Sequence, residues 1–79
     1  MRVTVRAFNE LKDLTAALPP GGALELSAGA TVAEVLQRLG VPKDRRAHLV
    51  LFRNGRPARL DTPLADGDTL VILPPMTGG

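Results

Sequence analysis

The feature that most restricts what this chain can fold into is the run TLVIL at residues 69–73, closed by Pro74 and Pro75. Leu70, Val71, Ile72 and Leu73 are strand formers and apolar in succession, so both faces of a strand built from them must be covered. Such a strand belongs in the middle of a sheet. The tight ADGD turn before it marks where it begins, and two prolines without backbone N–H groups mark where the ladder ends.

The remaining elements must surround that strand. RVTVRAF, residues 2–8, alternates, with Val3, Val5 and Ala7 on one side and Arg2, Thr4 and Arg6 on the other, as in a half-buried strand. NELKDLTAAL follows, and Leu11, Leu14 and Leu18 at spacings of three and four predict a helical turn or two capped by Asn9. PPGG at 19–22 is a breaker, after which Leu24 and Leu26 share one face of a second strand. Thr31 and Glu34 have capping-box spacing, and Val32, Val35, Leu36 and Leu39 recur at i, i+3, i+4 and i+7. This predicts an amphipathic helix stopped by Gly40 and Pro42. HLVLFRNGRPARL then reads as a strand over 48–53, an Asn54-Gly55 type I′ turn, and a short return through Ala58 and Leu60.

The expected class is α+β: a mixed four- to five-stranded sheet on one main helix, with a domain over 1–73 and an extended tail over 74–79. A helix of roughly ten residues cannot cover both faces of such a sheet. Unless residues 9–18 cover the second face, an apolar patch remains there, of the kind that marks a partner site.

At 79 residues the core is thin, which favours chemistry at an edge or a terminus over a deep enclosed site. The sequence has no Cys, excluding disulfides, zinc-finger ligand sets and a thiol nucleophile. Net charge is +2, and two Phe with no Trp or Tyr offer little to stack on bases, so no nucleic-acid partner is expected. No apolar run approaches the ~20 residues of a membrane span, and MRVTVRAF alternates where a signal peptide has a continuous apolar block. A cytoplasmic protein without a membrane partner is expected.

The sequence finishes on PPMTGG. This is either an idle end or one whose carboxylate does the work. Gly21-Gly22 also follows two prolines, yet there a loop is the simplest reading. Pro74 and Pro75 fix φ and project the chain from the sheet, while Gly78 and Gly79, lacking Cβ, are narrow enough to thread a channel. An α-carboxyl with a pKa near ~3.5 is anionic at neutral pH and a poor electrophile, so it needs activation. Adenylation by ATP in a partner enzyme would supply a leaving group and make this chain a carrier with no catalytic residue of its own.

LDTPLADGDTLVILPPMTGG, with its L-x-D-G-D-x-L turn and final Pro-Pro-x-x-Gly-Gly, resembles the C-terminal third of the small sulfur carriers of the MoaD/ThiS family. RVTVRAFNELKDL and TVAEVLQRLG extend the resemblance over nearly the whole chain. It implies a ubiquitin-like β-grasp fold. It further implies that the Gly79 carboxylate is adenylated by an E1-like adenylyltransferase of the MoeB/ThiF type and converted to a thiocarboxylate. Sulfur would come from a persulfide sulfurtransferase, so an internal thiol is not needed. Gly78, Thr77, Met76, Pro75 and Pro74 would form the stretch that enters the partner's active site. The proline pair favours the molybdopterin branch, in which the acceptor is a synthase large subunit of the MoaE type and the product binds molybdenum or tungsten. The same tail resembles thiamine- and cysteine-pathway carriers and ubiquitin-like modifiers. No bound cofactor and no metal are implied; ATP is used by the activating partner.

Other residues have plainer readings. His48, the only histidine, has no nucleophile or acid to work with and reads as a structural or surface residue. Asp66 and Asp68 around Gly67 fall far short of a calcium loop and read as turn residues. Arg53, Arg56 and Arg59 form either a basic edge for an acidic partner or a solvated hairpin that resists edge pairing. Phe52, Leu73 and Met76 are candidates for partner contact, with a core role the alternative for Phe52. Three function classes remain: sulfur carrier, protein modifier, and a β-grasp binding module with an inert tail.

Overall fold

The computed structural model describes residues 1–75. Five strands, β1 (Arg2–Ala7), β2 (Ala23–Glu25), β3 (Val50–Arg53), β4 (Arg56–Pro57) and β5 (Thr69–Leu73), form one sheet in the order β2-β1-β5-β3-β4. The apolar run is therefore central, as its composition demands. β5 runs parallel to β1, with Val5 opposite Leu70 and Ala7 opposite Ile72, and antiparallel to β3, with Leu51 opposite Ile72.

One face of the sheet carries the core. Val3, Val5, Leu24, Leu51, Leu70 and Ile72 meet Val32, Val35 and Leu36 of α1 (Val32–Arg38). Leu36, Leu70 and Ile72 are fully enclosed, each contributing about 1.5–3 kcal/mol of burial free energy. α1 ends in a Schellman motif: Gly40 N–H donates to Gln37 O at 3.1 Å and Val41 N–H to Leu36 O at 2.9 Å. The expected periodicity and stop both hold, although Leu39 is only partly buried at the edge of the core.

The start of α1 differs from the expected capping box. Thr31 is the N-cap residue, but its side chain caps nothing. The first-turn donors are already taken: Val32 N–H by Thr62 O at 3.1 Å, Ala33 N–H by Leu60 O at 2.9 Å, and Glu34 N–H by the Thr31 carbonyl at 3.1 Å. A neighbouring loop thus does what the hydroxyl was expected to do.

Asn9–Thr15 is a 3₁₀ helix, capped at Phe8 and not at Asn9. Asn9 has φ 59°, a left-handed conformation incompatible with the extended backbone of an N-cap residue. Leu11, Leu14 and Leu18 pack against the core cluster, on the side already occupied by α1. They leave the second face of the sheet open. A short helix, α2 (Lys43–Arg46), follows Pro42; it buries no residue, so no apolar period announces it. β3 begins at Val50, two residues later than expected, because His48 and Leu49 N–H groups are drawn back to Arg45 and Arg46 carbonyls. The Asn54-Gly55 turn forms as expected, with φ 52° and 83°, the positive pair of a type I′ turn. Its return arm is only the two-residue β4, extended by Ala58 N–H donating to Leu51 O at 2.8 Å.

Gly21-Gly22 is more than a flexible loop. Gly22 has φ 75°, and a Cβ there would lie 2.2 Å from Val5 O, the carbonyl of the strand it closes against. Only glycine allows that approach.

Candidate functional site

Strand register fixes what the open face presents. Partners in the ladder share a side, so Arg6, Val71 and Phe52 form one row across β1, β5 and β3, and Val50 lies beside Leu73 in the next. Phe8, extended beyond β1 and on the parity of Arg6, continues this surface toward the end of β5. Phe8 is 44% exposed, and Val50, Phe52, Val71 and Leu73 are half-buried. The surface is an apolar strip flanked by basic β1 residues. Arg6 is exposed, whereas Arg2 is tied to Glu25 by an ion pair at 2.9 Å.

Phe52 and Leu73 therefore share one face, but the arginines named with them do not all join it. Arg53 lies opposite Leu70 and Arg56 opposite Arg53, which puts both on the helix side of the sheet. Arg59 is an exposed loop residue. Phe8, Arg6, Val50 and Val71 were not singled out from sequence. The signal for Phe8 was its position two after Arg6, an aromatic ring on the otherwise polar side of RVTVRAF.

The face is held in register by a polar cluster centred on the buried Asp68. The Asp68 carboxylate, 5% exposed, accepts from Arg53 Nε, from Asn54 Nδ2 at 2.8 Å and from Ala65 N–H at 2.7 Å. Asn54 Oδ1 accepts from Thr69 N–H at 2.9 Å, and Asn54 N–H donates to Thr69 O at 2.9 Å. Burial pushes the Asp68 carboxyl up, but the hydrogen bonds from Arg53, Ala65 and Asn54 and the Arg53 charge outweigh it and hold the group below its usual value. Asp68 is thus the joint between the β3–β4 hairpin and β5, a larger role than the turn chemistry expected of it. Asp66 likewise reaches beyond its turn, accepting from the Arg2 N–H of β1 at 2.8 Å.

Beyond Leu73 the chain leaves the sheet. Pro74 is half-buried and Pro75 exposed. On the side away from the apolar strip they line a groove of about 360 Å³ with Leu11, Leu49, Arg45 and His48. Met76, Thr77, Gly78 and Gly79, the remainder of the expected tail, lie outside the described residues. Among the described residues no group of three His, Asp or Glu side chains converges as a metal site, and no helix is long and apolar enough to cross a membrane.

A five-stranded mixed sheet grasping one main helix, with a Pro-Pro exit beside an apolar open face, defines the ubiquitin-like β-grasp class, and within it the small carrier and modifier proteins. Residues 5–79 match the model of the ThiS family, and the chain belongs to that family. Among solved structures it is similar to the small archaeal modifier protein 1 of Methanosarcina acetivorans, at 27% identity over 99% of this chain and 96% of that one, TM-score 0.67. A chain from the complex of subunits 1 and 2 of the molybdopterin-converting factor of Helicobacter pylori matches at 26% identity over 100% of both, TM-score 0.58. The thiamine biosynthesis protein ThiS of Geobacter metallireducens shares the fold at 24% identity over 100% of both chains, TM-score 0.64. No curated protein matches the chain significantly in sequence.

Proposed function

We propose that this protein is a sulfur carrier whose Gly79 carboxylate is activated by an E1-like adenylyltransferase and converted to a thiocarboxylate. The carboxylate oxygen attacks the α-phosphorus of ATP and pyrophosphate leaves. The terminal sulfur of a persulfide then attacks the acyl carbon, AMP leaves, and a second thiol cleaves the S–S bond to release the thiocarboxylate. The chain itself supplies a rigid handle and a narrow tail over 74–79, and the partners supply the chemistry.

The observation that carries this reading is the position of the exit. The central strand of a ThiS-family domain runs directly into Pro74 and Pro75 at the rim of the open-face strip of Phe8, Phe52, Val71 and Leu73. A partner that docks on that strip has the Pro74-Pro75 exit beside it. The acceptor we favour is a molybdopterin precursor held by a larger synthase subunit; the Pro74-Pro75 pair and the Helicobacter pylori converting-factor complex support it. Thiamine thiazole or cysteine synthesis is the alternative acceptor pathway. A second reading, conjugation to lysines, is favoured by the likeness to the Methanosarcina acetivorans modifier.

The test is tandem mass spectrometry of the C-terminal peptide after incubation with ATP, cysteine and extract of the source organism. An ATP-dependent exchange of oxygen for sulfur localised to Gly79, and trapped by a thiol-directed alkylating label, is the expected result. Localisation matters because sulfoxide formation at Met76 gives nearly the same mass gain. Isopeptide remnants on lysines of other proteins, with Gly79 never carrying sulfur, would favour the modifier reading. Unchanged partner binding after deletion of Gly78 and Gly79, with no modification of either kind, would refute both.

A further inference from the structure

The groove behind the tail root lies on the opposite side of β5 from the apolar strip. Parity places Leu73 on the open face and Pro74 with Ile72 on the helix side, where Pro74 joins Leu11 and Leu49. The floor of the groove is therefore aliphatic, and its rim is basic. Arg45 and His48 line it directly, and both are exposed. α2, from which Arg45 comes, also carries Lys43 and Arg46 against the single acid Asp44. Arg46 is occupied, its Nε donating to Val41 O at 2.9 Å. Arg45 enters no ion pair among the described residues, where the two pairs formed are Arg2 with Glu25 and Arg53 with Asp68.

We propose that this groove is a second docking point for the activating enzyme, filled by an apolar side chain of that enzyme next to a carboxylate that pairs with Arg45. The inference rests on the reading of the tail as the activated group. It adds that the tail root is gripped from both sides of the sheet, by the strip of Phe8, Phe52 and Leu73 on one and by the Leu11, Leu49 and Arg45 groove on the other. Charge and shape both select this occupant. An aliphatic floor rewards an apolar tip, and the Arg45 guanidinium on a rim where no acid lines the groove among the described side chains rewards a carboxylate and repels a basic segment. The groove also borders Pro74 and Pro75 themselves, so any enzyme that holds residues 76–79 must pass next to it.

The test is the ATP–pyrophosphate exchange rate of the source organism's E1-like enzyme as a function of carrier concentration. Wild type, Arg45→Glu, Arg45→Lys and Arg45→Glu with His48→Glu are compared. Arg45 and His48 are exposed, and a melting curve for each variant confirms that the fold is unchanged. The expected result is a KM for the carrier raised about tenfold by Arg45→Glu and further by the double variant, with kcat unchanged and near-wild-type behaviour for Arg45→Lys. The KM of wild type should also rise with salt more steeply than that of Arg45→Glu. Equal KM values in all four proteins would overturn the groove assignment while leaving the tail chemistry intact. Absence of exchange with wild type would overturn the reading of the tail, and the groove with it.

Discussion

Replacing Asp68 with alanine should reveal how far one carboxylate holds the working face together. The side chain accepts three hydrogen bonds, one from the Arg53 guanidinium, and is 5% exposed. Breaking a buried ion pair costs about 3–5 kcal/mol, and the lower end applies because the Arg53 side chain is 35% exposed and can rehydrate. Ala65 and Asn54 are exposed, so water replaces the acceptor that their N–H groups lose and the loss stays near about 3 kcal/mol. Against a total of roughly 4–12 kcal/mol for a domain of this length, the variant should still fold, with its melting temperature lowered by about 12–24 °C. With no Trp or Tyr in the sequence, far-ultraviolet circular dichroism is the assay. The dependence on pH has a definite sign. Because the folded Asp68 carboxyl lies below its usual value, its contribution is present above the unfolded pKa of about 3.9 and fades as pH falls through the folded value. The gap between wild type and Asp68→Ala should therefore be full at pH 7 and shrink below about pH 4. A shift under ~4 °C at pH 7, or a gap that widens in acid, would refute the account of Asp68 as a paired anion.

Further expectations concern the loop and the face. Gly22→Ala should cost about 3 kcal/mol or more, because its Cβ meets a backbone carbonyl, whereas Gly21→Ala, with φ 88° but open space, should cost about 1 kcal/mol; equal chemical denaturation midpoints would contradict this. Phe8→Ala should cost about 1 kcal/mol of stability, since the residue is 44% exposed and only its covered part is lost from the fold, yet raise the KM of the activating enzyme roughly tenfold; an unchanged KM would remove Phe8 from the docking face.

The central strand, α1 and the hairpin turn were legible in the sequence because each is dictated locally, by an apolar run, a 3.6-residue period and an Asn-Gly pair. What escaped was set at a distance. Thr31 sits where a cap belongs, but carbonyls of Leu60 and Thr62 arrive from a later loop and take its place. The leucines of residues 9–18 have a spacing that serves a 3₁₀ helix as well as an α-helix, so the period alone does not choose between them. α2 has no buried face to betray it. At the candidate site, Phe52 and Leu73 are legible as apolar strand residues. That Arg53 and Arg56 face the other way, with Arg53 committed to Asp68, follows only from register.

The pairing of β1 with β5 has a mechanical consequence. A pull on the chain at Pro75 is directed along β5, which is flanked on one side by parallel β1 and on the other by antiparallel β3. Force along a strand bonded on both sides loads its ladders in shear, so the bonds of both neighbours resist together instead of parting one by one as a peeled edge strand would. On the function proposed above, an enzyme that draws on the tail does not unravel the domain behind it, because the strand that leads to the tail is also its anchor.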